Sequence, residues 1–313
     1  MAILPKTGNS RAIAATLVAV LSWATVASSF KMAQLYFSQY EMLTIAVLTA
    51  TVIFAVAVTI KGRWKDVHNL TRRDWFSLAI LGIFNPTLYY LVLFSAYRFL
   101  PAQVAQPINY CWPIFLVILL AVVMHRPVRP RLYIGMVLSL GGVAVISLGG
   151  GGVESGSLSA GGLMLAFLSA VLWAFYWILN ERLKGGIDEN MKLFLSFLFS
   201  SIYLLMAMSF IPTDFGISTG TTLKGLLWSV WAGTFEMGIP FIFFSYALSR
   251  ATNVALVNQM CYISPFLSLF VISMIVGETI VPTTYLGLAL IVGGVVFNQY
   301  LAYPGGEKKR QTT

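Results

Sequence analysis

Residues 101–113 read Pro101-Ala-Gln-Val-Ala-Gln-Pro-Ile-Asn-Tyr-Cys-Trp-Pro113, and their chemistry decides the fold. The stretch opens a long apolar run, yet carries two glutamines, an asparagine, a tyrosine, a tryptophan and three prolines. A counterpart follows about 150 residues later, at 251–265: Ala-Thr-Asn-Val-Ala-Leu-Val-Asn-Gln-Met-Cys-Tyr-Ile-Ser-Pro. Val104-Ala105 aligns with Val254-Ala255 and Cys111 with Cys261; after a slip of two residues Pro113 aligns with Pro265. Polar helices broken by proline inside an apolar chain are where a bilayer-embedded protein lines a path for solutes.

Composition sets the solvent. Apolar residues make up 58% of the chain and charged residues 10%, with a mean hydropathy of +0.82. A water-soluble domain could not cover that much apolar surface, so lipid is the expected surroundings. Ten apolar runs are long enough to cross as helices of about 20 residues. They lie near 12–30, 40–60, 75–97, 102–124, 132–149, 161–180, 193–211, 226–248, 254–276 and 282–301. Short connections leave no room for a soluble domain, and the run length excludes a β-barrel. The first run leads into a polytopic pattern without a clear small-residue cleavage site, which predicts a span and not a cleaved signal.

The net charge of +9 does not form a nucleic-acid patch, because the basic residues are dispersed between apolar runs. With the N-terminus placed in the cytoplasm, seventeen Lys and Arg fall inside and only Lys31, Arg98 and Lys224 fall outside. That bias predicts cytoplasmic N- and C-termini.

The 150-residue offset recurs along the chain. Trp23-Ala24 aligns with Trp173-Ala174 and Phe94-Ser95 with Phe244-Ser245; at an offset of 152, Gly135 aligns with Gly287 and Gly141-Gly142 with Gly293-Gly294. Five spans per repeat is an odd number, so the second half is expected to be inverted relative to the first. The predicted organisation is a tail at 1–11, a first repeat at 12–149, a Gly-rich linker at 150–160, a second repeat at 161–301 and a tail at 302–313. The linker, Gly149-Gly-Gly-Gly-Val-Glu-Ser-Gly156, lacks the Gly-Lys-Ser/Thr ending of a P-loop.

Glu236, in Trp231-Ala-Gly-Thr-Phe-Glu-Met-Gly-Ile-Pro240, is the one ionisable side chain near the centre of a predicted span. It reads either as a site for a cation, proton or substrate ammonium, or as a carboxyl bonded structurally to a neighbouring helix. Glu278, at a helix end before Pro282, reads as structural. Aromatic residues gather at predicted mid-depth: Trp23, Tyr89, Tyr90, Tyr110, Trp112, Trp173, Trp177 and Tyr262. Interfacial belts account for Trp64, Trp75 and Trp228 at span ends. The deep set is either interhelical packing or a cavity wall, and taken together it favours the wall. The amides Asn85, Gln106, Asn109, Asn258 and Gln259 fit interhelical hydrogen bonding, or two polar gates on opposite sides of the midplane. Pro86, Pro107, Pro113, Pro240 and Pro265 interrupt spans and free carbonyls. Glycines near 135, 141, 287 and 293 predict close packing of the fifth and tenth spans.

No Lys or Arg falls deep in a predicted span, which argues against anionic substrates and for zwitterions or cations. Cys111 and Cys261 indicate neither a disulfide framework nor a metal site, and no catalytic constellation is visible. The chain is expected to need no cofactor, to act on no nucleic acid and to require no obligate protein partner. A small-molecule substrate and the bilayer are its expected partners.

Ten spans in two inverted halves, each opening with small residues and Trp, resemble the drug/metabolite transporter superfamily, EamA type. The proline near 113 and 265, Gly277-Glu278 and the Gly-Gly near each half's end carry the resemblance, over about residues 12–301. The first half departs from it, with His125-Arg126 in place of Gly277-Glu278. The aromatic set looks closest to the YddG-like exporters of aromatic amino acids. The resemblance implies a central cavity enclosed by spans 1, 3, 4, 6, 8 and 9. Its wall would include Trp23, Tyr89, Tyr110, Trp112, Trp173, Glu236 and Tyr262. The expected function is export of amino acids, aromatic ones included, across the inner membrane by alternating access; Gln106, Asn109, Trp177 and Asn258 complete the expected substrate-binding set. The alternative is a proton-coupled exporter of organic cations. A lipid-modifying enzyme is the reading from another class.

Overall fold

A computed structural model describes residues 7–123, 132–149, 158–183, 187–251 and 254–302. The described residues are helical and contain no strand. Eight helical segments are long and apolar enough to cross a membrane: Ser10–Gln34, Gln39–Ile60, Arg72–Phe99, Ala102–Leu119, Ala160–Asn180, Glu189–Met208, Thr222–Arg250 and Leu256–Ile275. Two shorter apolar helices, α8 (Leu132–Leu148) and α15 (Pro282–Ala302), occupy the fifth and tenth predicted runs. Most of the Gly-rich linker at 150–160 and the His125-Arg126 segment lie outside the described residues.

Several spans are interrupted, and local chemistry explains where. The first breaks at Thr25, between α1 (Thr7–Ala24) and α2 (Val26–Gln34). After α3 (Gln39–Ile60), the third joins α4 (Arg72–Gly82) to α5 (Tyr89–Phe99) through a wide π-type turn, Ile83–Leu88. Asn85 there is extended, at φ −141° and ψ 123°, because a following proline disfavours the helical region. Pro86 has no N–H to offer the carbonyl of Gly82, and the Thr87 hydroxyl donates to it instead, at 2.8 Å. The fourth span divides into α6 (Ala102–Asn109) and α7 (Trp112–Val123). Beyond α9 (Ala160–Arg182) and α10 (Glu189–Met208), a second π-type turn, Gly233–Gly238, joins α11 (Thr222–Ala232) to α12 (Ile239–Arg250). The two π-type turns are offset by 150 positions. In the ninth span a single 3₁₀ turn, Cys261–Ile263, separates α13 (Val254–Met260) from α14 (Ser264–Ile275).

Two helix starts are closed by reciprocal capping boxes. Ser38 and Glu41 form a reciprocal capping box on α3, and Thr71 and Asp74 do so on α4. Glu41 does more than cap: its other oxygen accepts from the backbone of Asp214 and Phe215, at 2.7 Å each. The α10–α11 connection is thereby tied to the head of α3.

Contacts between helices follow a reciprocal pattern. α1 packs on α12, and α9 packs on α5; these pairs exchange under the 150-residue offset. α3 packs on α10, its own counterpart, and at their crossing Thr51 Oγ1 lies 3.0 Å from Ser201 Oγ, 150 residues away. α8 and α15 approach closely because glycines remove the side chains between them. A Cβ at Gly135 would collide with the Gly294 carbonyl and Asn298, and one at Gly142 with the Gly287 carbonyl. The converse collisions hold at Gly294 and Gly287, a pairing of i with j′ and j with i′ as in a two-fold contact. Ser139 Oγ adds a hydrogen bond to the Ile291 carbonyl, at 2.9 Å. Within each Gly-Gly pair it is the second residue that packs: Gly141 and Gly293 meet open space.

Gly142→Val and Gly294→Val are each expected to destabilise the protein by about 1–3 kcal/mol through overpacking of backbone against side chain. Gly141→Val should be tolerated. Thermal unfolding in detergent distinguishes them.

Candidate functional site

The site begins with a missing donor. In a regular helix the Glu236 carbonyl would accept the N–H four residues on, but that residue is Pro240. The Trp23 indole, from α1, donates to this carbonyl at 3.3 Å. The turn that strands the carbonyl also turns the Glu236 side chain inward, where it is 9% exposed. Tyr90, wholly buried on α5, donates its hydroxyl to Glu236 Oε1 at 2.8 Å. Glu236 Oε2 is buried without a hydrogen-bond partner among the described residues. A carboxyl oxygen so placed has strong demand for a donor, be it a proton or a ligand cation.

Aromatic rings surround this carboxyl. The Tyr89 and Tyr90 centroids are 4.6 Å apart, and Tyr89 is the same distance from Trp173 on α9. Phe241, one turn past the break, lies 6.2 Å from both Trp23 and Trp173 and bridges the two repeat-related tryptophans. From Trp173 the rings continue to Trp177 at 6.1 Å and to Trp112, stacked on Trp177 at 6.2 Å. Trp177 Nε1 is buried without a hydrogen-bond partner among the described residues. The Tyr89 hydroxyl donates to Asn109 Oδ1 at 3.0 Å, and Asn109 Nδ2 donates to Ser169 Oγ at 2.9 Å, which fastens α6 to α5 and α9.

The structure therefore joins Trp23, Tyr89, Asn109, Trp112, Trp173, Trp177 and Glu236 into one connected group. Tyr110 lies beside Cys261 and Ser264 at the break between α6 and α7. Gln106 is buried on α6 with its carbonyl oxygen unpartnered, and Tyr262 is buried in the turn of the ninth span. Asn258 stands apart, half-buried on α13, with no hydrogen bond or ring contact to the group; Gln259 is exposed.

Three residues have no individual role in the sequence reading: Tyr90 is one of the deep aromatic set, Phe241 is not singled out, and Lys192 is a topology signal. Tyr90, which alone bonds the Glu236 carboxyl, is 146 residues away and stands beside the equally aromatic Tyr89. Phe241 is one phenylalanine among 22. Lys192, read as a loop-proximal topology signal, is 5% exposed near the start of α10, where Glu189 Oε2 and Asn180 Oδ1 take its ammonium at 2.8 and 3.2 Å.

Comparison with known proteins gives this geometry a lineage. The EamA-like transporter family matches residues 10–148 and again 160–299. The chain belongs to that family. It is a transporter and a multi-pass membrane protein. An uncharacterized transporter of Clostridium kluyveri is 24% identical over 266 residues, covering 82% of each chain. A protein of Streptantibioticus cattleyicolor described as a probable terminal-alkyne amino-acid exporter is 23% identical over 287 residues, covering 92% of this chain and 93% of its own. A solved crystal structure shares the fold with a TM-score of 0.66 at 21% identity, over 94% of this chain and 98% of that one.

Tyr90→Phe removes the one donor to the Glu236 carboxyl among the described residues and is expected to cost about 1–3 kcal/mol, the range for leaving a buried acceptor unsatisfied. In a thermal-unfolding double-mutant cycle with Glu236→Gln, the pair should cost less than the sum of the single changes.

Proposed function

We propose that the protein exports neutral amino acids, aromatic ones included, across the cytoplasmic membrane by alternating access of two inverted five-helix repeats. The observation that carries this reading is an acid with a spare oxygen inside an aromatic enclosure. Glu236 Oε2 can take a substrate ammonium, and the neighbouring rings of Trp23, Tyr89 and Trp173 offer aromatic surface for an apolar side chain. The unpartnered indole N–H of Trp177 is a donor for the opposite, carboxylate end of a zwitterion. The relative described as an amino-acid exporter supports the substrate class, and the aromatic lining extends it toward the YddG-like exporters.

The reciprocal helix contacts and the 150-residue offset of the two π-type turns support a molecule built from two related halves. That arrangement and the distribution of basic residues support a reading of ten spans with both termini cytoplasmic. The substrate would then sit between the halves near the midplane, where broken helices supply backbone groups. An exporter of organic cations, with Glu236 exchanging a proton, draws on the same spare oxygen.

Flux in purified proteoliposomes, with tryptophan, a small amino acid and an organic dication, tests the assignment. Saturable tryptophan flux without a pH gradient, reduced but retained in Glu236→Gln, is the expected result. Dication flux driven only by a gradient, and abolished in Glu236→Gln, would transfer the assignment to the cation exporter. Trp112→Ala and Trp173→Ala should each weaken tryptophan flux about tenfold or more, and flux of the small amino acid much less. Equal losses for both substrates would contradict the aromatic wall.

A further inference from the structure

Glu278 is conspicuous for where its two oxygens go. Oε1 accepts from the backbone N–H of Ala102 at 2.8 Å, and Oε2 from that of Gln103 at 3.1 Å, so one carboxylate takes two free donors at the head of α6. The Gln103 side chain returns the contact to the turn that follows α14. Its amide donates to the Thr279 carbonyl at 2.9 Å, and its oxygen accepts from Val281 N at 3.2 Å and Thr284 Oγ1 at 3.0 Å. Lys31, at the end of the first span, donates to the Leu100 carbonyl at 2.7 Å. Elements from opposite halves of the chain are thus tied together beside an open cavity lined by Lys31, Arg98, Gln103 and Glu278.

The state of α6 matches this closure. Every residue from Ala102 to Asn109 is buried. At the 150-residue offset, on α13, the burial is not repeated. Gln259, counterpart of the buried Asn109, is exposed, and Leu256, counterpart of the buried Gln106, is 38% exposed. Among the described side chains, α6 is wholly covered at its end while on α13 only Val257 is buried. Sequence makes the difference intrinsic: the counterpart of Gly277-Glu278 is His125-Arg126, and residues 124–131 contain no carboxylate. A guanidinium cannot accept an N–H.

We propose that Glu278 is a one-sided latch, its carboxylate holding the head of α6 against the α14–α15 turn to keep that end closed and bias the transporter toward opening at the other. Release of the two N–H groups frees α6, whose Asn109 is fastened to the candidate site, to swing and open the site toward the latch side. The latch rests on the alternating-access reading above but not on the substrate named there.

Accessibility tests it in the full chain. A single cysteine at Gln106, in a background with Cys111→Ala and Cys261→Ala, is labelled with a membrane-impermeant thiol reagent in right-side-out and inverted vesicles. Glu278→Gln and, separately, Gln103→Ala are expected to raise labelling from the latch side about tenfold and to lower it from the opposite side. A misfolded protein would gain labelling from both sides, so a symmetric increase, or no change, overturns the latch. Tryptophan flux is measured on the same preparations. Its absence in the cysteine-free parent would defeat the substrate assignment while leaving the labelling result to decide the latch.

Discussion

A helix broken inside a bilayer strands backbone groups that lipid cannot satisfy, and this constraint orders the rest of the molecule. At both π-type turns a side chain supplies the donor that the proline withholds. The Gly82 carbonyl, without a donor because of Pro86, receives the Thr87 hydroxyl. The Glu236 carbonyl, without a donor because of Pro240, receives the Trp23 indole from the other end of the chain. The second case is the more consequential. By binding backbone instead of side chain, Trp23 leaves the Glu236 carboxyl to Tyr90 and keeps one of its oxygens uncommitted. The polarity at the centre is a by-product of how the break is repaired.

Stability and function are separated in space along the same bundle. α8 and α15 meet through glycine and backbone and supply the close van der Waals contact that helix association in lipid needs. The spans with breaks meet instead through aromatic faces and single hydrogen bonds, contacts that can be remade after a shift. Tyr89, Asn109 and Ser169 form a chain across three of these spans. Motion of α6 relative to α5 must therefore be felt at the tyrosine that faces Trp173.

Much of this architecture was legible in order along the chain, because lipid forces long apolar runs and leaves few alternatives to helix. The glycine spacing foretold the α8–α15 contact but not which glycine of each pair faces inward, since rotation about a helix axis is set by packing. Trp23, Trp173 and Glu236 stood out because burial of such residues in a bilayer is costly without a reason. Phe241 did not, and Tyr90 ranked only as one of the deep aromatic set, because aromatic residues are abundant here and their roles arise only when distant spans come together. Asn109 and Gln259 correspond at the 150-residue offset, yet one is buried and the other exposed. A sequence repeat fixes which residues correspond, while a single conformation of an asymmetric molecule need not treat them alike.

The hydroxyl pair at the crossing of α3 and α10 carries a last implication. Thr51 Oγ1 and Ser201 Oγ each have one proton, and each is also within reach of the carbonyl four residues back, Val47 at 2.7 Å and Phe197 at 2.9 Å. Two protons thus face three bonds, and one bond always goes unmade. The arrangement is degenerate: exchanging which hydroxyl donates across the crossing yields the mirror assignment with nearly the same inventory of partners. The hydrogen bond across this crossing of the two halves therefore has no fixed direction of donation.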